Sequence, residues 1–209
     1  MVGEYFKEAV VETEGHRTRY LEGGSGDPIV QLDDGGGLER SPALELLAKT
    51  FHVFALETPG PGTASIEDRA RRMNAAIAAL GIERFGLIGV SSAAKLALWM
   101  AILRPESVEA IVLSSPDAFG PPHDGAFEKR AAELTQPILA LFGTLDNVTP
   151  PDDAHRYREL LQDCNIMFVY NAAHAIETDR PEAFASMAGD FLTRKDQFLV
   201  TQTSALIHP

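Results

Sequence analysis

From residue 28 onward the chain alternates two kinds of hydrophobic pattern. Short uninterrupted apolar runs predict strands at Pro28–Leu32 (PIVQL), His52–Leu56 (HVFAL), 84–90, 110–115 (AIVLSS), 138–142 (ILALF) and 166–170. Between them, apolar residues recur every three or four positions and predict helices at Pro42–Lys49, 65–80, 92–104, 151–163 and 181–194. Ser41 and Ser65 stand where helix caps belong, and Gly81 follows the second helix. Ahead of this series, Tyr5–Glu12 and Arg17–Leu21 read as two strands joined in a hairpin at Glu14-Gly15. Strands that are apolar throughout, rather than alternating, belong to a parallel sheet covered on both faces. The pattern therefore predicts an α/β protein: a mostly parallel, doubly wound sheet with an N-terminal antiparallel hairpin and helices on both faces.

Length and charge narrow what such a fold can do. With 209 residues, residues 1–195 are expected to form a single domain, followed by a tail from 196 to 209. The net charge of −12 argues against nucleic acid or an anionic membrane as partner, since both demand a basic surface. A small molecule is the expected partner, and a strongly anionic one is disfavoured unless an Arg cluster receives it. The single cysteine, Cys164, excludes an internal disulfide and most thiolate metal sites. No apolar leader or membrane-length run stands in the sequence, which places the protein in the cytoplasm as an expectation.

In open sheets of this kind the site lies beyond the C-terminal strand ends. The polar residues expected there are Asp33, Asp34, Glu57, Ser91, Ser92, Asp117, Asp146, Asn147 and His174. One of them sits at a telling junction. In FGLIGVSSAAKLALWM (residues 85–100) a buried strand gives way directly to a helix, and Ser91 stands at the turn between Gly89 and Ala93. Such a turn strains the apex residue and exposes its side chain, and it tolerates only small residues two positions away. The next amide, on Ser92, heads a helix, where an N–H is free to stabilise an oxyanion.

The sequence G-V-S-S-A resembles the G-x-S-x-G nucleophile elbow of the α/β-hydrolase family, with Ala93 in place of the final glycine. The resemblance extends over nearly the whole chain, through PIVQL, ALETPGPG, SIEDRARRMNAAIAALGIERFGLIGVS, PILALFGTLD and AAHAIETDRPEAFASMAGDFL. It implies a triad in the order serine, acid, histidine: Ser91 as nucleophile, Asp146 in the G-x-x-D segment as acid, and His174 after the last strand as base. Asp117 and Glu177 are the rival acids. His16, His52 and His208 lie away from strand ends, and His123 and His155 are placed to line a pocket rather than to act as base. The amides of Ser92 and Gly36 would hold the oxyanion, or Gly35 if the alignment slips by one. The resemblance implies hydrolysis of small carboxylic esters or thioesters through an acyl-enzyme, with no metal or organic cofactor. Two alternatives stand beside it. One is cofactor-free oxygenation or C–C bond cleavage on the same fold, and the other is a binding protein with a vestigial triad.

Three features depart from the family pattern. After PIVQL, relatives carry His-Gly, whereas this chain has Asp33-Asp34-Gly35-Gly36-Gly37. Asp34 and Gly35 thereby become pocket candidates, and a carboxylate facing an oxyanion would raise the barrier. The glycines are expected to let the loop turn the charge toward water. Secondly, only twenty residues separate Pro116 from Pro137, where many relatives insert a cap. A minimal or absent cap is expected over about 117–136, with one short helix near Ala126–Leu134 and an open pocket edged by Phe119, Pro121, Pro122 and Phe127. Finally, the tail (DQFLVTQTSALIHP) is apolar enough to fray, to pack on its own surface or to join a homodimer.

Overall fold

A computed structural model of the protein describes residues 6–33, 37–38, 40–60, 62 and 64–198. Among these residues there are eight strands, β1 (Phe6–Thr13), β2 (His16–Gly24), β3 (Pro28–Leu32), β4 (His52–Leu56), β5 (Phe85–Val90), β6 (Val108–Ser114), β7 (Ile138–Gly143) and β8 (Cys164–Val169). They form one sheet in the order β1-β2-β4-β3-β5-β6-β7-β8. β1 pairs antiparallel with β2, and β2 antiparallel with β4. Every later pairing is parallel. The expected fold is therefore present, hairpin included.

Among the described residues, seven α-helices flank the sheet: α1 (Pro42–Leu47), α2 (Ile66–Ala79), α3 (Ala93–Leu103), α4 (Gly125–Ala131), α5 (Ala154–Leu160), α6 (Ile176–Asp179) and α7 (Pro181–Arg194). The uninterrupted apolar runs now have a physical reason. Val30, Leu87 and Ile111 pack into a core with α2, α3 and α4. Their neighbours Ile29, Ile88 and Val112 pack into a second core with α1 and α7. Successive residues of each strand thus face opposite, equally buried layers, and each such side chain contributes about 1.5–3 kcal/mol. The caps form as the sequence predicts: the Ser41 and Ser65 hydroxyls accept from the amides of Leu44 and Asp68 at 3.2 and 3.1 Å.

The differences are local. The helix expected over 151–163 is a 3-10 turn at Pro151–Asp153 followed by α5. It stops because Leu161 is already extended (φ −106°, ψ 133°), turning the chain into β8 at Cys164 rather than at 166. The four-residue α6 was not predicted, because one turn is too short to show a period. Between Pro116 and Pro137 there is α4 alone, seven residues long. Cys164 is half-buried, and burial pushes its thiol up to about 12, so it is not a nucleophile near neutral pH. Phe198, at the start of the tail, packs edge-on against Phe191 with ring centroids 5.2 Å apart. Residues 199–209, on which the homodimer expectation rested, lie outside the described residues.

Candidate active site

The site is assembled from three strand ends. At the end of β5, Ser91 adopts φ +51°, a left-handed conformation that costs a non-glycine residue about 1 kcal/mol or more. Surrounding backbone holds it there. The Ser91 amide donates to Ser114 O at 2.9 Å, and the Ser91 carbonyl accepts from the amides of Ala94 and Asp117, both at 3.1 Å. Close packing of β5 on α3 dictates the residue two positions before. A Cβ on Gly89 would lie 2.8 Å from Ala97 Cβ and 3.0 Å from Ala94 Cα. We expect Gly89→Ala to cost about 1–3 kcal/mol, read as a lower urea midpoint at unchanged m-value. On the other flank Ala93 fits with 3% exposure, which explains why this elbow does without its final glycine.

At the end of β7 the chain turns through Thr144 and Leu145 to Asp146. The turn lies hard against the loop that follows β8, for a Cβ on Gly143 would come within 2.3 Å of Ala173 O. Leu145 N–H donates to Ala172 O at 2.9 Å, and Ala173 N–H donates to Asp179 Oδ2 at 2.8 Å. This lacing delivers His174 to the space between the two other strand ends. His174 Nδ1 lies 2.9 Å from Asp146 Oδ2, and His174 Nε2 lies 3.0 Å from Ser91 Oγ. The three side chains form one hydrogen-bonded line.

The electrostatics suit that line. The Asp146 side chain is fully buried. Burial alone would raise its carboxyl. The amides of Thr149 and Val148, both donating to Oδ1 at 3.0 and 2.8 Å, act with His174 to hold it below the usual carboxylate range. Asp146 is thus an anion whose second oxygen is left for the imidazole. An acceptor there favours the tautomer with hydrogen on Nδ1, leaving Nε2 free to take a proton from Ser91. The rival acids stand elsewhere: Asp117 is exposed, and its backbone, not its carboxylate, touches the elbow. Glu177 is buried and borders the same cavity on α6, but Nδ1 is held by Asp146.

A cavity of about 200 Å³ opens beside Ser91 and His174, walled by Gln31, Asp33, Gly37, Ser41, Val90, Ala175, Glu177 and Thr178. Ser92 is exposed at the head of α3, where helical geometry leaves the first amides without partners. Asp34, Gly35 and Gly36 lie outside the described residues, and Asp33 and Gly37 on either side of them border the cavity.

The aromatic edge expected for this pocket is not there. Phe127 is 1% exposed, packed between Trp99 and Phe119 at centroid distances of 5.7 and 5.5 Å. It is a core residue, drawn in because seven residues of α4 bury their one large side chain against α3. Phe119 and Pro121 border a second depression of about 240 Å³, together with His123, His155 and Tyr157. Sequence reasoning missed Gln31 as a wall of the Ser91 cavity and weighed Glu177 only as an acid. The signal was available: Gln31 is the one polar letter inside PIVQL, and Glu177 follows His174 by a single helical turn.

Comparison with known proteins agrees with this architecture. Residues 23–132 match the family model for the alpha/beta hydrolase fold, and the chain belongs to that family. A curated relative, the 2-hydroxy-6-oxo-6-(2'-aminophenyl)hexa-2,4-dienoic acid hydrolase of Metapseudomonas resinovorans, is 28% identical over 121 residues. The match covers 52% of this chain and 42% of that protein, so it spans less than half the relative's length. Among solved structures, an alpha/beta hydrolase enzyme from the metagenome of lagoon sediments at Mar Chica, Morocco, superposes with a TM-score of 0.77 at 23% identity. That superposition covers 89% of this chain and 98% of the other. Naproxen esterase (carboxylesterase NP) of Bacillus subtilis gives 0.77 at 18% identity, covering 89% and 91%. At such identities the likeness shows the fold. Among the described residues, no helix is long and apolar enough to cross a membrane.

Proposed function

We propose that the protein is a serine hydrolase acting on small carboxylic esters or thioesters. The observation that carries this is the line Ser91 Oγ, His174 Nε2, His174 Nδ1, Asp146 Oδ2, with steps of 3.0 and 2.9 Å, built on a serine held at positive φ. In this reading Ser91 attacks the carbonyl carbon while His174 Nε2 takes its proton, and Asp146 steadies the imidazolium. The amides of Ser92 and Gly36, or of Gly35 if the alignment slips by one, stabilise the oxyanion. His174 then protonates the departing alcohol or thiol, and a water activated by the same imidazole releases the acid. A cavity near 200 Å³ accommodates short chains.

A second reading draws on the Metapseudomonas relative. The substrate in its name carries an oxo group and a carboxylate but no ester, so its hydrolysis must break a carbon–carbon bond. The wall around Ser91 argues against transferring that substrate. Asp33 and Glu177 are acidic, and none of the described residues of the wall is Lys or Arg.

Short p-nitrophenyl esters test the proposal. Wild type is expected to hydrolyse the acetate or butanoate with saturation kinetics, and Ser91→Ala to lose at least about a thousandfold in kcat/KM. Equal rates in wild type and Ser91→Ala at the solvent background would overturn it. Turnover of an oxo-dienoate without turnover of esters would instead establish the second reading.

A further inference from the structure

Among the described residues the sheet has two edges, and they are finished differently. β1, at one edge, carries Lys7, Glu8 and Glu12, and its two acids pair with Arg19 and Arg17 of β2 at 2.7 and 3.1 Å. Charges of that kind keep one sheet edge from joining another. β8, at the other edge, reads Cys-Asn-Ile-Met-Phe-Val, without a charge, a proline or a break in its register with β7. The amides of Ile138 and Thr144, at the two ends of β7, donate to Asp163 O and Val169 O. Backbone groups alternate in direction along a strand, so the odd-numbered residues of β8 serve β7. Cys164, Ile166 and Phe168 therefore turn both N–H and C=O to the open edge. Hydrophobic exposure gathers at the same place. Leu145, Val148, Phe168 and Tyr170 are four of the five exposed large hydrophobic side chains among the described residues, with Phe168 52% and Tyr170 73% exposed. Leu145 lies by the end of β8 because its amide donates to Ala172 O at 2.9 Å.

We propose that β8 joins a second copy of this chain, antiparallel about a twofold axis at Ile166. In this register Ile166 exchanges both backbone hydrogen bonds with Ile166 of the partner subunit, and Cys164 does so with Phe168 of the partner subunit. The axis repeats the second pair, so each strand completes the other. Side chains meet as Ile against Ile and Cys against Phe on one face, and as Asn165 against the partner's Met167 on the other. No like charges stand opposite each other. The ends of the ladder are complementary in charge. Arg180 Nη1 donates to Tyr170 O at 2.7 Å, which holds its guanidinium at the end of the strand. The register brings the partner's Asp163, exposed in a lone copy, to that same end. A foreign strand would satisfy the backbone equally well, but this self-complementary order of residues selects a second copy. Leu145, Val148 and Tyr170 widen the contact beyond the strand, as a stable dimer requires. The interface is independent of the chemistry at Ser91 and uses none of residues 199–209.

Sedimentation equilibrium of the full chain over a concentration series tests the association, and crosslinking tests the register. The wild type should approach the mass of two chains as concentration rises. Ile166→Lys sets two like charges face to face, and Phe168→Lys removes an exposed apolar contact without touching the core. Each should raise the dissociation constant by about tenfold or more, with circular dichroism showing the fold retained. For the register, Ile166→Cys in a Cys164→Ser background is oxidised with copper phenanthroline. It should form a disulfide between chains, because Cα atoms paired across the axis lie about 5.5 Å apart. Phe168→Cys in the same background should stay uncrosslinked, since its own copy lies about 13 Å along the ladder. A chain that is monomeric at every concentration, a dimer indifferent to both lysines, or one that crosslinks at 168 rather than at 166 would overturn the proposal.

Discussion

Replacing His174 by alanine should lower kcat toward a short ester by about 10⁴-fold or more while leaving the thermal midpoint nearly in place. The serine hydroxyl is a weak nucleophile on its own, and the only base within reach of Ser91 Oγ among the described residues is His174 Nε2, at 3.0 Å. Residual activity comes from the oxyanion donors and from binding, which the substitution leaves intact. The stability cost is small because the ring is 28% exposed and its partners have other bonds. Asp146 keeps two backbone amides, and Ser91 keeps its backbone hydrogen bonds to Ser114, Ala94 and Asp117. Paired measurements of ester turnover and thermal unfolding check both halves. A His174→Ala protein that retains more than a tenth of wild-type kcat would remove the base from the scheme.

The second large effect belongs to Asp146→Asn, expected to lower kcat by about 10³–10⁴-fold with the fold preserved. Asparagine keeps an oxygen to accept from the amides of Val148 and Thr149. It then turns an NH₂ toward His174 Nδ1, which reverses the tautomer and puts the imidazole hydrogen on the side of Ser91. The same residue sets an acid limit to stability. Its carboxyl lies lower in the folded protein than in the unfolded chain, where about 3.9 is usual, so below that value the unfolded state takes up the proton first. The stabilisation is complete above the unfolded value and is lost as pH falls through the folded one. Urea midpoints at pH 3 and pH 7 should therefore differ less in Asp146→Asn than in wild type. A larger pH difference in the variant would contradict the assignment of Asp146 as a buried anion.

The sheet was legible because it is covered on both faces: each apolar run feeds two cores at once, as Ile29 and Val30 do on opposite sides of β3. The elbow was legible for a related reason, since the contact of Gly89 with Ala94 and Ala97 requires small residues that can be seen in the letters. What escaped depends on direction rather than identity. Nothing in the sequence tells whether Phe127 turns toward the cavity or toward Trp99, and packing of α4 on α3 decides it. Nor does a single turn such as α6 declare itself, so Glu177 could be read as a triad acid but not as a buried cavity wall.

The measurement that bears most directly on Ser91 as an activated nucleophile is covalent capture by a fluorophosphonate, followed by intact-mass and peptide analysis. Displacement of fluoride by Ser91 Oγ should add one phosphonyl group per chain, located on the peptide containing Ser91. It should be absent in Ser91→Ala and slowed by orders of magnitude in His174→Ala. Wild-type protein that remains unlabelled at Ser91, or carries the group on another residue, would contradict the account.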